Sequence, residues 1–572
     1  MKLNSLWKIW RGDRNFLLSY CVRSEKRFDI LRQEDKTPLQ LFQKAKDLQM
    51  DGVLNIQLGF SSLLFTFDPV KHSADSILNE LFRNFSTGSG MSSEERHRVV
   101  EIPVCYDEEF GLDLDEVANI TGMTKNEIIG EHSTRTFSTD FLGFMPGFAY
   151  LSGLPKKLEV SRLNSSRTSV PSGSIGIARS QTAVYPASSP GGWRIIGRTP
   201  IEMFNAQRLP MFLLSPGDQV HFTPISKAEF ITSQQQQIEI RKTREALRAS
   251  KPAPRQLTVL DPGLSTTVQD LGRLGYGHVG ISPSGAADPR SLIAGNRLVG
   301  NPDGMPALEM TLIGGAYRFD SDAVVAITGS DFSPVLDGAP VAGWQPLQVK
   351  AHQILRLSST RQGARAYLCV QGGIDVPLVL GSASTHVSSG LGGLNGRALA
   401  RGDLLSIGDS AINKIPIYRR PALPMGYRMK EFRAILGPDS DLFTNEQLKA
   451  FFASSYIVTK DCNRFGIRLC GRPIPVNERW NDFLSCPVAL GTIQISPDGQ
   501  PTILFVDQQT TGGYPQIACI AAADHHSLGQ LLPGDEIRLR IVSVQEAADS
   551  AREEHVAADG PAYDWGNWLA PV

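Results

Sequence analysis

TDFLGFMPGFAYLSGLP, residues Thr139 to Pro155, and SVPSGSIGIARSQTAVYPASSPGGWRIIGRTP, residues Ser169 to Pro200, pack glycine, proline and aromatic side chains more densely than an apolar core requires. Glycine and proline placed between short apolar runs mark close backbone turns, where main-chain N–H groups can face a ligand instead of pairing in a ladder. Working outward, a related block lies far downstream: ALGTIQISPDGQPTILFVDQQTTGGYPQIA, Ala489 to Ala518. Both blocks run from a small-residue turn through a strand into a Gly-Gly-aromatic element, SPGGW in one and TTGGY in the other. Duplicated, related domains are the expectation.

A triplet supports this division. SPGDQVHF (Ser215 to Phe222), ARGDLLSI (Ala400 to Ile407) and LPGDEIRL (Leu532 to Leu539) each put a Gly-Asp turn before alternating apolar and polar residues, the pattern of a strand closing a β-domain. At 572 residues the chain exceeds one core, and roughly 150 residues per domain gives about four units. The expected division is a small α/β subdomain over 16–99, β-domains over 100–232, 257–415 and 416–545, and a tail over 546–572 that loses its helical pattern. Between the halves, SQQQQIEIRKTREALRASKPAP (Ser233 to Pro254) reads as a linker within 233–256, a charged helical run between a glutamine tract and a Pro/Ala end.

Composition narrows the function. Lys plus Arg total 57 and Asp plus Glu 58, a net charge of −1, with no long block of one sign. That argues against nucleic acid or an anionic membrane as the main partner, since either selects a basic patch. The 53 glycines and 36 prolines favour a turn-rich, mainly β protein with α/β elements. Seven cysteines, an odd number without a C-x-x-C pair, read as reduced thiols. No apolar run reaches membrane-span length and no signal-peptide pattern opens the chain, so a cytoplasmic location is expected.

The residues carry a family resemblance over nearly the whole chain. GFMPGFAYLSGLP (Gly143 to Pro155), VPSGSIGIA (Val170 to Ala178) and SPGGWRIIGRTP (Ser189 to Pro200) resemble the B subunit of prokaryotic 5-oxoprolinase, also called allophanate hydrolase subunit 1. DPGLSTTVQDLGRLGYGHVGISPSGAADP (Asp261 to Pro289), ALEMTLIGGAYRF (Ala307 to Phe319), NRFGIRL (Asn463 to Leu469) and DQQTTGGYPQIA (Asp507 to Ala518) resemble the C subunit, or allophanate hydrolase subunit 2. The same modules form the carboxyltransferase part of the urea amidolyase family. The resemblance implies cyclophilin-like β-barrels, one in the first half and two in the second. It also implies an ATP-dependent opening of the lactam ring of 5-oxoproline to glutamate, with a separate LamB/YcsF-type A subunit.

Such chemistry calls for donors to phosphate or carboxylate, a carboxylate for Mg2+, and a base. Arg167 and Arg198 supply guanidinium forks beside the first block, and Ser189, Gly191, Gly192 and Trp193 form a turn with an indole wall. In the second half Gln269, Asp270 and Arg273 gather an amide, a carboxylate and a guanidinium on a glycine-punctuated loop. Asp288 sits where it would cap the following helix. Glu309 lies in an apolar strand, where an unpaired carboxylate costs several kcal/mol, which makes it a catalytic candidate together with Asp507. Arg464, Gln509, Thr510, Thr511, Gly512 and Gly513 complete the set of candidate anion-binding residues. His132 and His221 have no partner at metal-ligand spacing, and the adjacent His525 and His526 do not share one face.

Missing motifs matter too. Without G-x-x-x-x-G-K-[ST], any ATP is held by a non-standard site, and without an A-M-K-M context no covalent biotin is expected on this chain. No G-x-S-x-G elbow or amidase-type serine run supplies a hydrolytic nucleophile. Three functions compete: the B/C component of a 5-oxoprolinase acting on a small amide, a biotin-dependent carboxyltransferase acting on urea or a related amide, and a regulator of a histidine kinase. A homo-oligomer is compatible with each.

Overall fold

Three copies of one turn organise the chain. In 215–218, 400–403 and 532–535 the glycine takes a left-handed φ of 95°, 90° and 94°, open to glycine at little cost. The aspartate carboxylate then accepts a hydrogen bond from the backbone N–H three residues earlier, at 2.8, 2.7 and 2.7 Å. Strands Gln219–Pro224, Leu404–Ile407 and Glu536–Ile541 follow. The sequence triplet is thus one structural device used three times.

The computed structural model describes residues 7–10, 13–19, 37–59, 62–69, 71–87, 98–163, 165, 167–246, 255–409, 430–475 and 485–559. Most of the Ser/Gly patch at 86–95, the Pro/Ala end of the expected linker and the tail beyond 559 lie outside these residues. The fold is mainly β with a few helices, and no helix of the described residues is long and apolar enough to cross a membrane.

The last domain is a closed seven-stranded barrel in the order Glu431–Leu436, Gln516–Ile520, Thr492–Ile495, Pro501–Leu504, Gly466–Cys470, Ser455–Cys462, Glu536–Ile541. The first half repeats that order strand for strand: Val99–Val104 at one edge of the sheet and Arg194–Arg198 at the other, with Ser174–Ala178, Gln181–Val184, Ala149–Ser152, Thr136–Leu142 and Gln219–Pro224 between. In both domains the first and last strands in sequence pair in parallel. In the first half the sheet curls until its edges meet in one bridge, Cys105 to Arg198, with N–H···O distances of 2.8 and 2.9 Å. Each domain also carries the same two-stranded ribbon, Arg167–Val170 with Ser189–Gly191 and Cys486–Pro487 with Thr511–Gly512. The Gly-Gly-aromatic elements therefore occupy equivalent positions.

The middle domain differs in closure. A seven-stranded and a five-stranded sheet face one another across a core in which Val259, Tyr317 and Leu355 meet Met310, Val325 and Leu368. Before the first barrel, a four-stranded sheet with helices Thr37–Leu48 and Ala74–Thr87 packs Phe16, Phe65 and Leu81 onto Phe141, Tyr150 and Trp193 of that barrel.

The expected linker from residue 233 runs through the middle of helix Lys227–Ala246. Ser226 and Glu229 cap its start reciprocally, at 3.3 and 2.8 Å, and the Gln, Glu, Lys and Arg that follow are good helix formers, so the helix continues through the glutamine tract.

Glycine density in the first block has a packing reason. A β-carbon at Gly143 would lie 2.4 Å from Thr511 Cγ2, and one at Gly280 would lie 2.2 Å from the Met145 carbonyl oxygen. The two halves touch there, through a parallel bridge between Leu142 and Val279 and a hydrogen bond from Gly277 N–H to Asn55 Oδ1 at 3.1 Å.

Candidate active site at the junction of the two halves

Because the ribbons are equivalent and the halves meet, the SPGGW and TTGGY turns come to line one cavity of about 720 Å3. Its first-half wall is aromatic, built from Phe144, Phe148, Tyr150, Tyr185 and Trp193; the second half contributes Ser485, Asp507, Gln508, Gln509, Thr511, Gly513 and Tyr514. Tyr150 crosses the junction, its hydroxyl 3.2 Å from Thr511 Oγ1. Burial raises the phenol's pKa, so it stays protonated as a hydrogen-bonding group.

Of the residues singled out from sequence, Ser189, Gly191, Gly192, Trp193, Asp507, Gln509, Thr511 and Gly513 line this cavity, while Thr510 and Gly512 belong to the same turn but do not line it. Gly191 permits the turn's packing, since a β-carbon there would meet the Tyr185 hydroxyl at 2.5 Å. Gln509 donates to Gln494 Oε1 at 3.2 Å. Ser189 Oγ and Gln508 Oε1 on the cavity wall, and Thr510 Oγ1 behind it, are buried without a hydrogen-bond partner among the described residues, and a bound ligand would relieve the deficit of the first two.

Asp507 sits at the cavity's edge and belongs to an ionic cluster that reaches away from it. Arg464 holds its carboxylate with both Nε and Nη2, at 2.8 and 2.9 Å, and Ser284 Oγ donates to Oδ1 at 2.8 Å. Burial works to raise the Asp507 pKa, yet Arg464 and its hydrogen bonds leave the carboxyl below the ordinary aspartate range. Glu309, 1 % exposed, does not line the cavity. It accepts from Arg464 Nη1 at 2.7 Å, Tyr367 Oη at 2.7 Å and the Ala287 N–H at 2.8 Å, with Arg365 Nε at 3.6 Å. Three hydrogen-bond donors and the nearby Arg365 guanidinium compensate the burial of Glu309, and its pair with Arg464 joins the middle domain to the last barrel. Arg464, expected to bind an anion from solution, already binds these two carboxylates.

Six other residues singled out from sequence are engaged by internal partners. Arg167 is locked in a two-pronged pair with Asp113. Arg198 donates to the Ser172 carbonyl at 2.7 Å and lies over the Phe230 ring, outside the cavity. Asp270 accepts from Gly272 N–H, Ser382 Oγ and Ala383 N–H at 2.6 to 2.7 Å, leaving it no ligand to seek. Buried Gln269 donates to Thr267 Oγ1 and the Thr385 carbonyl at 2.9 and 3.0 Å. Arg273 reaches the Val379 and Ser384 carbonyls, although its Nη1 remains unpartnered among the described residues. Asp288 caps helix Pro289–Leu298, accepting from Ser291 N–H at 3.2 Å.

Sequence reading missed Arg162, His386, Gln508 and Ser485, all on the cavity wall. His386 is buried and held neutral by that burial, with Nε2 3.1 Å from Ser282 Oγ. Arg162 Nη2 donates to Ser485 Oγ at 3.3 Å, and its guanidinium lies 5.9 Å from the Trp193 ring centroid. Neither residue stands in a motif or at a telling spacing, so no sequence signal marks them.

Comparison with known proteins places both halves. Residues 12–214 match the model of carboxyltransferase domain, subdomain C and D, and residues 279–541 match that of carboxyltransferase domain, subdomain A and B. The chain is 40% identical over 301 residues to the 5-oxoprolinase C subunit of Escherichia coli, covering 52% of this chain and 95% of the relative. It is 43% identical over 164 residues to the 5-oxoprolinase B subunit of Bacillus subtilis, covering 29% of this chain and 65% of the relative. Urea amidolyase of Saccharomyces cerevisiae is 34% identical over 329 residues, 53% of this chain but 18% of that longer protein. Among solved structures, the crystallised protein TTHA0988 superimposes with a TM-score of 0.77 at 30% identity, over 92% of this chain and 99% of that one.

Proposed function

This chain belongs to the carboxyltransferase-domain family, as a fusion of a B-like half with a C-like half, and on that premise we propose that it is the B/C component of an ATP-dependent 5-oxoprolinase. One observation carries the reading furthest. The cavity is built jointly, with an aromatic wall from the first half and a polar turn from the second. A site shared in this way explains why B-like and C-like halves act together.

5-Oxoproline is a five-membered lactam with an apolar ring edge, an amide N–H and C=O, and a carboxylate. Phe148 and Trp193 suit the ring edge; Gln508 Oε1 is an unsatisfied acceptor for an N–H, and Ser189 Oγ a free hydroxyl for a carbonyl. These residues bind and orient the amide and shield it from bulk water. Neither Asp507 nor Glu309 is free to act as base, because both carboxylates are engaged by Arg464.

ATP with Mg2+ does not fit this cavity. Among the described residues Arg162 is the sole lysine or arginine lining it, and Asp507 would have to leave Arg464 to take a metal. No group of three His, Cys, Asp or Glu able to hold a metal occurs among the described residues. ATP binding and the water-activating base are assigned to a separate A subunit, of the LamB/YcsF type. The reading is tested by ATP-dependent glutamate release from 5-oxoproline, with the chain alone and with an A subunit added. Turnover only in the mixture is expected; equal turnover without the A subunit, or none in the mixture, refutes it. The urea amidolyase likeness supports carboxyl transfer from a biotin carried on another chain as the second reading, and carboxylation of urea in place of glutamate release would favour it.

A further inference from the structure

Arg162 is a half-buried guanidinium on the cavity wall, and burial lowers its pKa with no carboxylate of the described residues acting against that shift. Its hydrogen-bonded partner is the neutral Ser485 hydroxyl. A guanidinium held away from bulk water without a counter-ion is costly, and such a group is retained where an incoming anion supplies the missing charge. The surroundings are arranged around it. Trp193 lies against the guanidinium at 5.9 Å. A β-carbon at Gly513 would stand 3.0 Å from Arg162 Nη1, so the second glycine of the TTGGY turn keeps that edge open. Tyr150, bonded to Thr511, stands in the same wall.

We propose that Arg162 is the carboxylate anchor of the cavity, selecting small amides that carry a carboxylate beside the ring. This rests on the 5-oxoprolinase reading for the identity of the substrate. The planar fork can grip a carboxylate with two parallel N–H···O bonds while its face stays on Trp193, which an ammonium cannot do. The lactam ring then falls toward Phe148 and the unsatisfied Gln508 and Ser189 atoms, so the anchor sets which face of the amide is presented.

The test compares 5-oxoproline with 2-pyrrolidinone, the same lactam without the carboxylate. Titration calorimetry on the full chain should give wild-type protein a clear preference for 5-oxoproline. Arg162→Gln should weaken 5-oxoproline binding about 10- to 100-fold and leave 2-pyrrolidinone unchanged, and Arg162→Lys should fall between. A melting curve checks that each variant is folded. Unchanged 5-oxoproline affinity in folded Arg162→Gln overturns the anchor, as does an equal loss for both lactams. Kinetics of the enzyme mixed with its A subunit separate the two claims: an unaltered KM in Arg162→Gln overturns the anchor and leaves the 5-oxoprolinase reading standing, whereas no binding and no turnover by wild type overturns both.

Discussion

Replacing Arg464 by methionine removes one guanidinium that makes hydrogen bonds to Asp507, Glu309, Gln269, Ser284 and the Gly285 carbonyl. All but Asp507 lie in the middle domain or its loops, so the side chain fastens the last barrel to its neighbour. The substitution leaves Asp507, 7 % exposed, without the cation that holds it, and Glu309, 1 % exposed, with only the Arg365 cation, at 3.6 Å, among the described residues. Breaking a buried pair from one side costs about 3–5 kcal/mol, because the remaining charge stays desolvated. For a cooperative unit of some 150–250 residues, a loss of that size lowers the melting temperature by about 6–20 °C. Asp507 tells which physics is at work. In the wild type its folded pKa lies below the unfolded value, so its contribution is present above the unfolded pKa and is lost as pH falls through the folded one. Without Arg464 the effect of burial prevails, the folded pKa rises, and the variant's deficit should shrink as pH falls from 7 toward 5. Adding Glu309→Gln and Asp507→Asn to Arg464→Met should restore part of the lost stability by removing both carboxylate charges, the neighbouring Arg365 then losing its own partner. A deficit under about 1 kcal/mol, or one that is the same at both pH values and in the triple variant, refutes the account.

Arg198→Ala removes a bond to the Ser172 carbonyl and the contact over Phe230, so it should cost about 1–2 kcal/mol in thermal denaturation while turnover per folded molecule with the A subunit stays unchanged. His132 is fully buried between Tyr106 and Thr182, and burial holds its pKa at about 3. The unfolded chain, with a histidine pKa near 6.5, binds that proton first, so stability is full above about pH 6.5 and declines below it by up to about 1.4 kcal/mol per pH unit; denaturant midpoints at pH 7 and 5 in wild type and His132→Gln should show the slope reduced in the variant. Chains cut between Ala246 and Arg255 should stay together, since Leu142–Val279, Tyr150–Thr511 and Asn55–Gly277 all join the halves; elution as two species at micromolar concentration contradicts that interface.

Backbone devices were legible in the sequence because they depend on local chemistry. Gly217, Gly402 and Gly534 take left-handed backbone in their turns, and each following aspartate closes its own turn, so three similar strings produced three matching turns. Side-chain roles were less legible because a charge takes its function from a partner that only the fold supplies. Arg167 and Asp113 are 54 residues apart, and Arg464 and Glu309 are 155 apart. The burial of Glu309 follows from its apolar strand, whereas the partners that make it tolerable, Arg464 and Tyr367, come from positions that the strand does not show. Arg162 shows the converse: it follows an ordinary serine, and its interest lies in a neutral hydroxyl standing where an acid would be expected, which no spacing records.

Duplication explains where the cavity lies. Equivalent ribbons from two barrels with the same strand order line one cavity, and the two copies have diverged in complementary directions. SPGGW presents its indole from an aromatic cluster; TTGGY presents amides and hydroxyls beside Asp507. Both keep a hydroxyl two residues before the glycine pair, Ser189 and Thr510, and both hydroxyls are buried without a partner among the described residues. A single barrel therefore holds one wall of a site whose chemistry needs two. When two such walls are separate polypeptides, occupancy of the site depends on their concentrations. Joining them through helix Lys227–Ala246 makes that encounter intramolecular, at an effective concentration on the order of millimolar for a short connection. Fusion thus needs no new contact to keep the shared cavity assembled, which is why its polar and aromatic walls can remain divided between two domains.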